Sequence, residues 1–323
     1  MQIITYAAID IVIAVIIDFI LGDPYGFPHP VIYIGKLISF LDKQGRKICK
    51  SAKQLNILGL LIVIMVSAAS FGVPYILLRL LRPYFFLYHL LNIGILWTTL
   101  AATSLRKEGL KVYDALLKGD IEDSRLKLSY IVGRDTKGLA ENEIIRADVE
   151  TIAENTADGV IAPLLYAMIG GAPLAMLYKG INTMDSMLGY MNPKYKNIGF
   201  FPAKLDDLVN YIPARLTGIL FVLVSPVVKG NIMTTAKIMI RDRRNHKSPN
   251  CAYPEGAAAG ALGIQLGGDN NYFGEIIKKP TIGDKINPLH ENHIKQTVML
   301  MYAGEVLLVA IYALIVVSLY VYQ

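Results

Sequence analysis

The chain has 323 residues, of which 54% are hydrophobic and only 18% charged, with a formal net charge of +6 and a mean hydropathy of +0.43. Soluble domains carry about 25% charged residues, so water alone is excluded as the solvent and a bilayer is part of it. The basic excess is spread over many loops without interleaved exposed aromatics, which argues against nucleic acid as a partner, and Cys49 and Cys251 lack the spacing of a disulfide framework or a zinc site.

In chain order, residues 3–21 are apolar apart from Thr5, Asp10 and Asp18. No basic leader or small-residue cleavage site accompanies them, so they read as a retained first span. Residues 55–78 and 84–103 read as two further spans joined by a turn at 79–83, and 298–322 as the last. Two weaker apolar segments, 160–178 and 208–228, contain Pro163, Gly170, Gly171 and Pro173 in the first and Pro213 and Arg215 in the second. Broken segments of this kind can be re-entrant or buried in protein. The loop at 22–54 carries Lys36, Lys43, Arg46, Lys47, Lys50 and Lys53, which places it in the cytoplasm by the positive-inside rule. Arg241, Arg243 and Arg244 favour the same side for 229–297. The two weak segments therefore both cross or neither does. The preferred reading is neither, or a re-entrant pair, because 181–207 carries polar residues matching those on its flanks. Residues 104–156 read as helical and soluble, with Asp120 as an N-cap, Asp123 three residues on, and an apolar face of Ile144, Ile145, Val149 and Ile152.

The expected fold class is all-α: a polytopic membrane helical bundle with a helical cytoplasmic region between spans. Residues 1–103 form a membrane region with three spans and the basic loop, 104–159 a helical cytoplasmic segment, 160–297 a catalytic region of broken apolar helices and polar motif loops, and 298–323 the C-terminal span.

Four polar constellations could carry chemistry. In DFILGDPYGFPHPVIYIG at 18–35, Pro24, Pro28 and Pro30 forbid a continuing helix and fix a rigid loop presenting Asp23 and His29. The blander alternative is a turn cap and a surface histidine. In ETIAENTAD at 150–158, Glu150, Glu154 and Asp158 share one face if the helix persists. Such a stripe suits a cation such as Mg²⁺, or is simply a solvated acidic face. Residues 178–215 offer Lys179, Asn182, Asp185, Lys204, Asp206, Asp207, Asn210 and Arg215, the mixture of carboxylates and cations that a metal–nucleotide site needs. On a continuous helix Asp207 and Arg215 lie two turns apart with Tyr211 between them. The alternative is a set of snorkelling residues at a membrane edge. In RDRRNHKSPNCAYPEGAAAGALGIQLGG at 241–268, three arginines, His246 and Lys247 precede Asn250 and a small-residue stretch. Arginine clusters suit phosphate or carboxylate recognition, or serve as a positive-inside anchor. No P-loop is present. His290 and His293 lack an HExxH context, Glu305 lies within the last span, and Trp97 and the tyrosines fit interfacial belts.

Taken in order, LGDPYGFPHPVIYIG at 21–35, ENTADGVIAPLLYAMIGGAP at 154–173, YKGINTMDSMLGY at 178–190, KLDDLVNYIPARL at 204–216 and the 241–268 segment resemble one family, the adenosylcobinamide-phosphate synthases of cobalamin biosynthesis. Two places depart from its pattern. Cys251–Ala252 stands where a small pair is usual, and Phe201-Pro202-Ala203-Lys204 replaces a small-residue stretch ending in Arg.

The resemblance implies ATP-dependent, Mg²⁺-assisted amide ligation of (R)-1-amino-2-propanol phosphate, or the free aminoalcohol, to adenosylcobyric acid. It also implies a multi-pass protein of the cell membrane, in lipid, with cytoplasmic catalytic loops and a possible complex with later cobalamin-assembly enzymes. On this reading Glu154, Asp158, Asp206 and Asp207 are metal candidates. Lys179, Asn182, Lys204, Arg215, Arg241, Arg243, Arg244 and Asn250 are candidates for binding substrate or phosphate. Asp23, His29, Asp185 and His246 are catalytic candidates, either histidine being a base for the ammonium. Two rival classes are a non-catalytic membrane sensor related to the β-lactamase-induction regulator and a corrinoid transporter. The complete SPN–PE–GALG segment speaks against the first, and the absence of an internal repeat against the second.

Overall fold

The computed structural model describes residues 2–24, 26–268, 270–272, 275–277 and 280–321; Tyr25 of the first motif and Tyr322 of the last expected span lie outside them. The first half comprises α1 (Gln2–Leu21), α2 (Pro30–Ile48), α3 (Ala52–Leu81), α4 (Phe85–Trp97), α5 (Ala102–Leu117), α6 (Ile121–Ser129) and α7 (Glu141–Thr156). After a π-turn at Ala157–Ile161 come α8 (Ala162–Leu188), α9 (Phe200–Val209) and α10 (Tyr211–Val224), then a 3₁₀ turn at Ser225–Val228, α11 (Ile232–Asp242) and α12 (Ala252–Leu262). Four short strands follow, β1 (Leu266–Gly267), β2 (Asn270–Tyr272), β3 (Glu275–Ile277) and β4 (Thr281–Ile282), and α13 (Asn292–Val321) ends the chain. β1 pairs with β4 and β2 with β3, both antiparallel.

The all-α membrane class holds. Among the described residues, Ala52–Leu81, Phe85–Leu117, Glu141–Leu188, Tyr211–Val228 and Asn292–Leu319 are long and apolar enough to cross a membrane. The two segments that read as weak in the sequence both belong to this set. The first is broken as its glycines suggest. Gly170 and Gly171 leave helical geometry, Gly171 at φ 68 and ψ −165, just ahead of Pro173. Ile57, Leu61, Ile64 and Met65 of α3 are exposed, an apolar face that suits lipid rather than water.

The basic stretch at 22–54 is not all loop. His29 caps α2 and Pro30 occupies its first turn, a position where the missing N–H costs nothing. The proline run that ends one helix thus starts the next. The expected third span is also interrupted: α4 ends at Trp97 and α5 begins at Ala102.

The chain forms two compact units: Met1–Ala101 with Ala162–Asn210 and Tyr312–Gln323, and Ala102–Ile161 with Tyr211–Ile311. In the first, α3 packs on α8 and α2 on both. Ile38, Ile62, Val66, Met184, Leu188 and Ile198 are buried at that contact. Gly180 sets its closeness, since a Cβ there would lie 2.3 Å from Ser70 Oγ, the small-residue packing typical of membrane helices. Where α1 meets α4, buried Asp10 accepts from Asn92 Nδ2 at 2.7 Å and pairs with His89 Nδ1 at 2.8 Å.

In the second unit, α11 and α12 run antiparallel. A Cβ at Gly256 would lie 3.2 Å from Met239 Cα, and one at Gly260 would lie 2.9 Å from Thr235 Cα. α12 is buried almost all round, which explains why its Ala/Gly sequence shows no polar face. α7 buries Ile144, Ile145, Val149 and Ile152 as its periodicity predicts, packing on α5 and α12. Asp120 caps α6 by accepting from Asp123 N at 2.9 Å.

Candidate functional site

The first unit brings several sequence candidates together. In the loop after α1, His29 Nε2 lies 3.5 Å from Asp23 Oδ1. His29 Nδ1 accepts the Val31 N–H at 3.2 Å, so the neutral ring carries its proton on Nε2, facing the carboxylate. At 3.5 Å the contact with Asp23 is an ion-pair distance, not a hydrogen bond.

At the C-terminal half of α8 and the adjoining α9, a polar chain runs inward. Tyr178 OH donates to Asn210 Oδ1 at 2.8 Å, Asn210 Nδ2 donates to Asp206 Oδ2 at 3.0 Å, and Asn182 Nδ2 approaches Asp206 Oδ1 at 3.4 Å. Tyr166 stacks on Tyr178 with centroids 5.2 Å apart. Asp206 is buried, so the amides anchor a carboxylate whose desolvation is otherwise costly. Lys204 and Asp207 form a looser pair at 3.6 Å, worth little by itself because Lys204 is exposed. Lys179 is half-buried one turn before Asn182 and Thr183, and its carbonyl accepts from Thr183 Oγ1 at 2.7 Å.

Asp185 is held at the end of α8 by a close approach. A Cβ on Gly189 would lie 2.0 Å from Asp185 Oδ1 and 2.7 Å from its carbonyl oxygen. Gly189→Ala is therefore expected to displace the Asp185 carboxylate. On the expectation that Asp185 acts on the substrate, amide formation should fall roughly 10- to 100-fold, because small misplacements of reacting groups are costly, while the protein still accumulates in membranes. Initial rates normalised to folded protein check this.

In the second unit the acidic stripe of α7 is only partly what its spacing suggested. Glu150 is buried and bonded to Arg134, and its Oε1 accepts the Gly267 N–H at 2.8 Å. It is a structural anchor for β1. Glu154 Oε1 accepts from Cys251 Sγ at 2.9 Å. Burial first, then the Glu154 and Glu255 carboxylates, push the Cys251 thiol well above its ordinary pKa, so it stays a donor. Asp158 lies in the π-turn, which breaks the i, i+4, i+8 register. π-turns inside helices frequently mark functional positions.

Arg215 has the most distinctive surroundings. Its guanidinium lies 3.3 Å from the Tyr211 ring centroid and 4.3 Å from that of Tyr253. One amino group donates to Tyr211 O at 2.5 Å and to Asn250 Oδ1 at 3.3 Å. No carboxylate neutralises it among the described residues. Helix α9 ends at Val209 and α10 starts at Tyr211, so the single helix that would align Asp207 with Arg215 is interrupted at Asn210.

The other basic candidates differ from Arg215. Arg241 bridges Asp242 at 2.7 Å and Asp284 at 2.9 Å, so two carboxylates already match its charge. The Arg241 hydrogen bond, aided by the Gly283 N–H at 2.7 Å, holds Asp242 below the usual carboxylate range. A depressed folded-state pKa contributes stability above the unfolded value, about 3.9, and loses it as pH falls through the folded value. Asp242→Asn should cost about 1 kcal/mol at pH 7, the low end for a charge-assisted bond because Arg241 is half exposed. The deficit should close below about pH 4, as thermal unfolding across pH checks. Arg243 bonds the Ile240 carbonyl at the end of α11, and Arg244 is exposed. His246 Nδ1 accepts the Ser248 N–H at 3.0 Å, which puts its proton on Nε2. The same arrangement holds for His29 and the Val31 N–H. Ser248 Oγ in turn accepts the Asn250 N–H at 3.2 Å.

Among the described residues no three His, Cys, Asp or Glu side chains gather as a metal site. Mg²⁺ commonly takes one or two carboxylates and completes its shell with water and substrate phosphates. Neighbouring Asp206 and Asp207 supply such hard oxygens in one unit, and Glu154 and Asp158 in the other. These donors fit an ion that arrives with its phosphates rather than one caged by protein. Sequence reasoning missed Arg134, Tyr178 and Tyr253, whose partners lie 16 or more residues away. Tyr211 alone, four residues before Arg215, carried a local signal.

A helical membrane protein with buried, ordered polar clusters at its motif segments is the class these features define. The chain belongs to the family described as CobD/Cbib protein, which matches residues 11–301. It is 65% identical over 308 residues to the cobalamin biosynthesis protein CobD of Clostridium acetobutylicum, covering 95% of this chain and 98% of the relative. It is 46% identical over 302 residues to the cobalamin biosynthesis protein CbiB of Salmonella typhimurium, covering 93% and 94%. The CobD of Geobacter metallireducens is 48% identical over 309 residues, covering 96% of each. No solved structure matches. Membership assigns the chain a role in cobalamin biosynthesis.

Proposed function

We propose that the chain is an adenosylcobinamide-phosphate synthase, which joins the amine of (R)-1-amino-2-propanol phosphate, or the free aminoalcohol, to the propionate of adenosylcobyric acid with consumption of ATP. The observation that carries this reading is Arg215: a cation held between two tyrosine faces beside buried Asn250, within the motifs that resemble the synthases. Family membership supports the pathway, and the chemistry of the clusters supports the reaction.

A carboxylate is a poor acyl donor at neutral pH. Transfer of the ATP γ-phosphoryl group to the propionate oxygen gives an acyl phosphate and ADP. Attack by the amine nitrogen then breaks the acyl C–O bond and releases inorganic phosphate, while the nitrogen loses a proton. Mg²⁺, when bound, neutralises phosphate charge. The protein's task is to position anions and balance their repulsion.

Arg215 presents a planar donor set to a phosphate or carboxylate, its plane fixed by Tyr211 and Tyr253. Asn250 orients that guanidinium and is itself held by the Ser248 turn. In the first unit, Asp206 and Asp207 offer hard oxygens to a cation, and Asp185 offers a carboxylate to the substrate ammonium. His29, beside Asp23, offers a donor. The motif loops face the cytoplasm, where ATP is available.

The test is mass spectrometry of a reaction in detergent or proteoliposomes containing purified protein, adenosylcobyric acid, (R)-1-amino-2-propanol phosphate, ATP and Mg²⁺. The expected result is ATP-dependent product at the mass of adenosylcobinamide phosphate. A folded preparation that makes no product from either amine overturns the reading. Uptake of unmodified corrinoid by proteoliposomes would replace it with transport.

A further inference from the structure

Within the second unit, a cavity of about 290 Å³ opens where the C-terminal end of α12, the N-terminus of α11 and the start of α13 meet. It is small for a ligand pocket, near the lower end of the usual range of roughly 300–1,000 Å³. It lies at the opposite end of α12 from Asn250 and Cys251, about 16 Å away at 1.5 Å per residue.

Its wall is unusual in composition. Lys229, Asn231, Asn287, His293 and Gln296 line it together with residues 260–263, and among the described residues no Asp or Glu does. The least exposed of these side chains is His293, at 8%. Its Nδ1 accepts the His290 N–H at 3.0 Å, so the neutral ring holds its proton on Nε2. That proton has no acceptor among the described residues and belongs to a ring lining the cavity.

The N-terminus of α11 adds further donors. The Asn231 side chain accepts the Thr234 N–H at 3.0 Å. The Ile232 and Met233 amides are left as first-turn donors without an intrahelical acceptor, at the positive end of the helix dipole. Lys229 supplies a full positive charge. Its backbone is pinned at φ 65, with its N–H on Pro226 O at 3.0 Å, and no carboxylate pairs with its ammonium among the described residues. A buried imidazole donor, an ammonium and a helix N-terminus, with no carboxylate among the described residues of the wall, select a compact anion.

The geometry points to a binding site for a phosphate group at this cavity. Its place in the chain suggests where the phosphate comes from. The candidate span Tyr211–Val228 ends at its rim and Asn292–Leu319 begins there, the depth at which a bilayer places its headgroups. A lipid phosphodiester and a soluble phosphate ester share the recognising chemistry. The inference does not rest on the ligase reading, since none of these residues belongs to the clusters assigned to it.

The test uses the full chain, purified and delipidated in neutral detergent. One arm titrates short-chain phosphatidylglycerol and reads adducts by native mass spectrometry. The other measures radiolabelled inorganic phosphate by equilibrium dialysis. Lys229→Glu is the main variant, because Lys229 is exposed and its loss leaves the core intact. His293→Gln is the second, retaining a donor while altering its reach. The expected result is saturable binding in at least one arm, weakened tenfold or more by Lys229→Glu and severalfold by His293→Gln, at unchanged elution volume and melting temperature. Loss confined to the lipid arm identifies a headgroup site, and loss in the phosphate arm a soluble ligand. No saturable binding in either arm, or binding equal in wild type and Lys229→Glu, overturns the proposal.

Discussion

Arg215→Ala is expected to lower kcat/KM for amide formation roughly 100- to 1,000-fold, the scale seen when one donor to a charged transition state is removed. Arg215→Lys should recover little of it. Lysine keeps the charge but loses the planar donor set and the stacking between two aromatic rings. The rings sit 3.3 and 4.3 Å from the guanidinium, so their main effect is to fix its plane before substrate arrives. Tyr253→Leu should therefore raise KM while leaving kcat within a fewfold. Steady-state rates by mass spectrometry on detergent-purified variants check all three. An Arg215→Lys enzyme within twofold of wild type would remove Arg215 from phosphate or carboxylate recognition and leave it as a brace for the α10–α12 contact.

How much of this was legible in the sequence varies by residue. The apolar face of α7 and the cap at Asp120 follow from local periodicity and one side-chain rule, and the structure reproduces both. The proline-fixed loop was legible as presenting Asp23 and His29, but their 3.5 Å approach was not. What periodicity cannot see is the partner. Glu150, Glu154 and Asp158 look equivalent at their spacing. Yet Arg134 and Gly267 claim the first, Cys251 bonds the second, and a π-turn moves the third out of register. Likewise Arg215 and Arg241 are both arginines near carboxylates in sequence. Only the fold shows Arg241 matched by Asp242 and Asp284, and Arg215 matched by none among the described residues. In both His29 and His246 a backbone N–H two residues downstream bonds the ring Nδ1, a contact that a motif comparison passes over.

The Arg134–Glu150 pair predicts the largest effect on stability. Both side chains are at least nine-tenths buried, so removing Arg134 takes the close counter-charge from Glu150 in a poorly solvating site and leaves only the Arg146 guanidinium, 3.8 Å away. Breaking a pair of this kind usually costs roughly 3–5 kcal/mol, whereas replacing both ions by neutral groups of similar size is often nearly neutral. Arg134→Met should therefore abolish accumulation of folded protein or depress its melting temperature sharply. Glu150→Gln should be milder, because the amide oxygen can still accept the Gly267 N–H that holds β1. The double variant Arg134→Met/Glu150→Gln should recover much of the loss. Melting curves of the four proteins in one detergent close the cycle. Additive losses would show that the pair is not coupled and that the cost of Arg134→Met lies in packing around the side chain. Recovery would instead show that the buried carboxylate has to be neutralised wherever α7 keeps it, which is why this member of the acidic stripe is unavailable to a metal or a substrate.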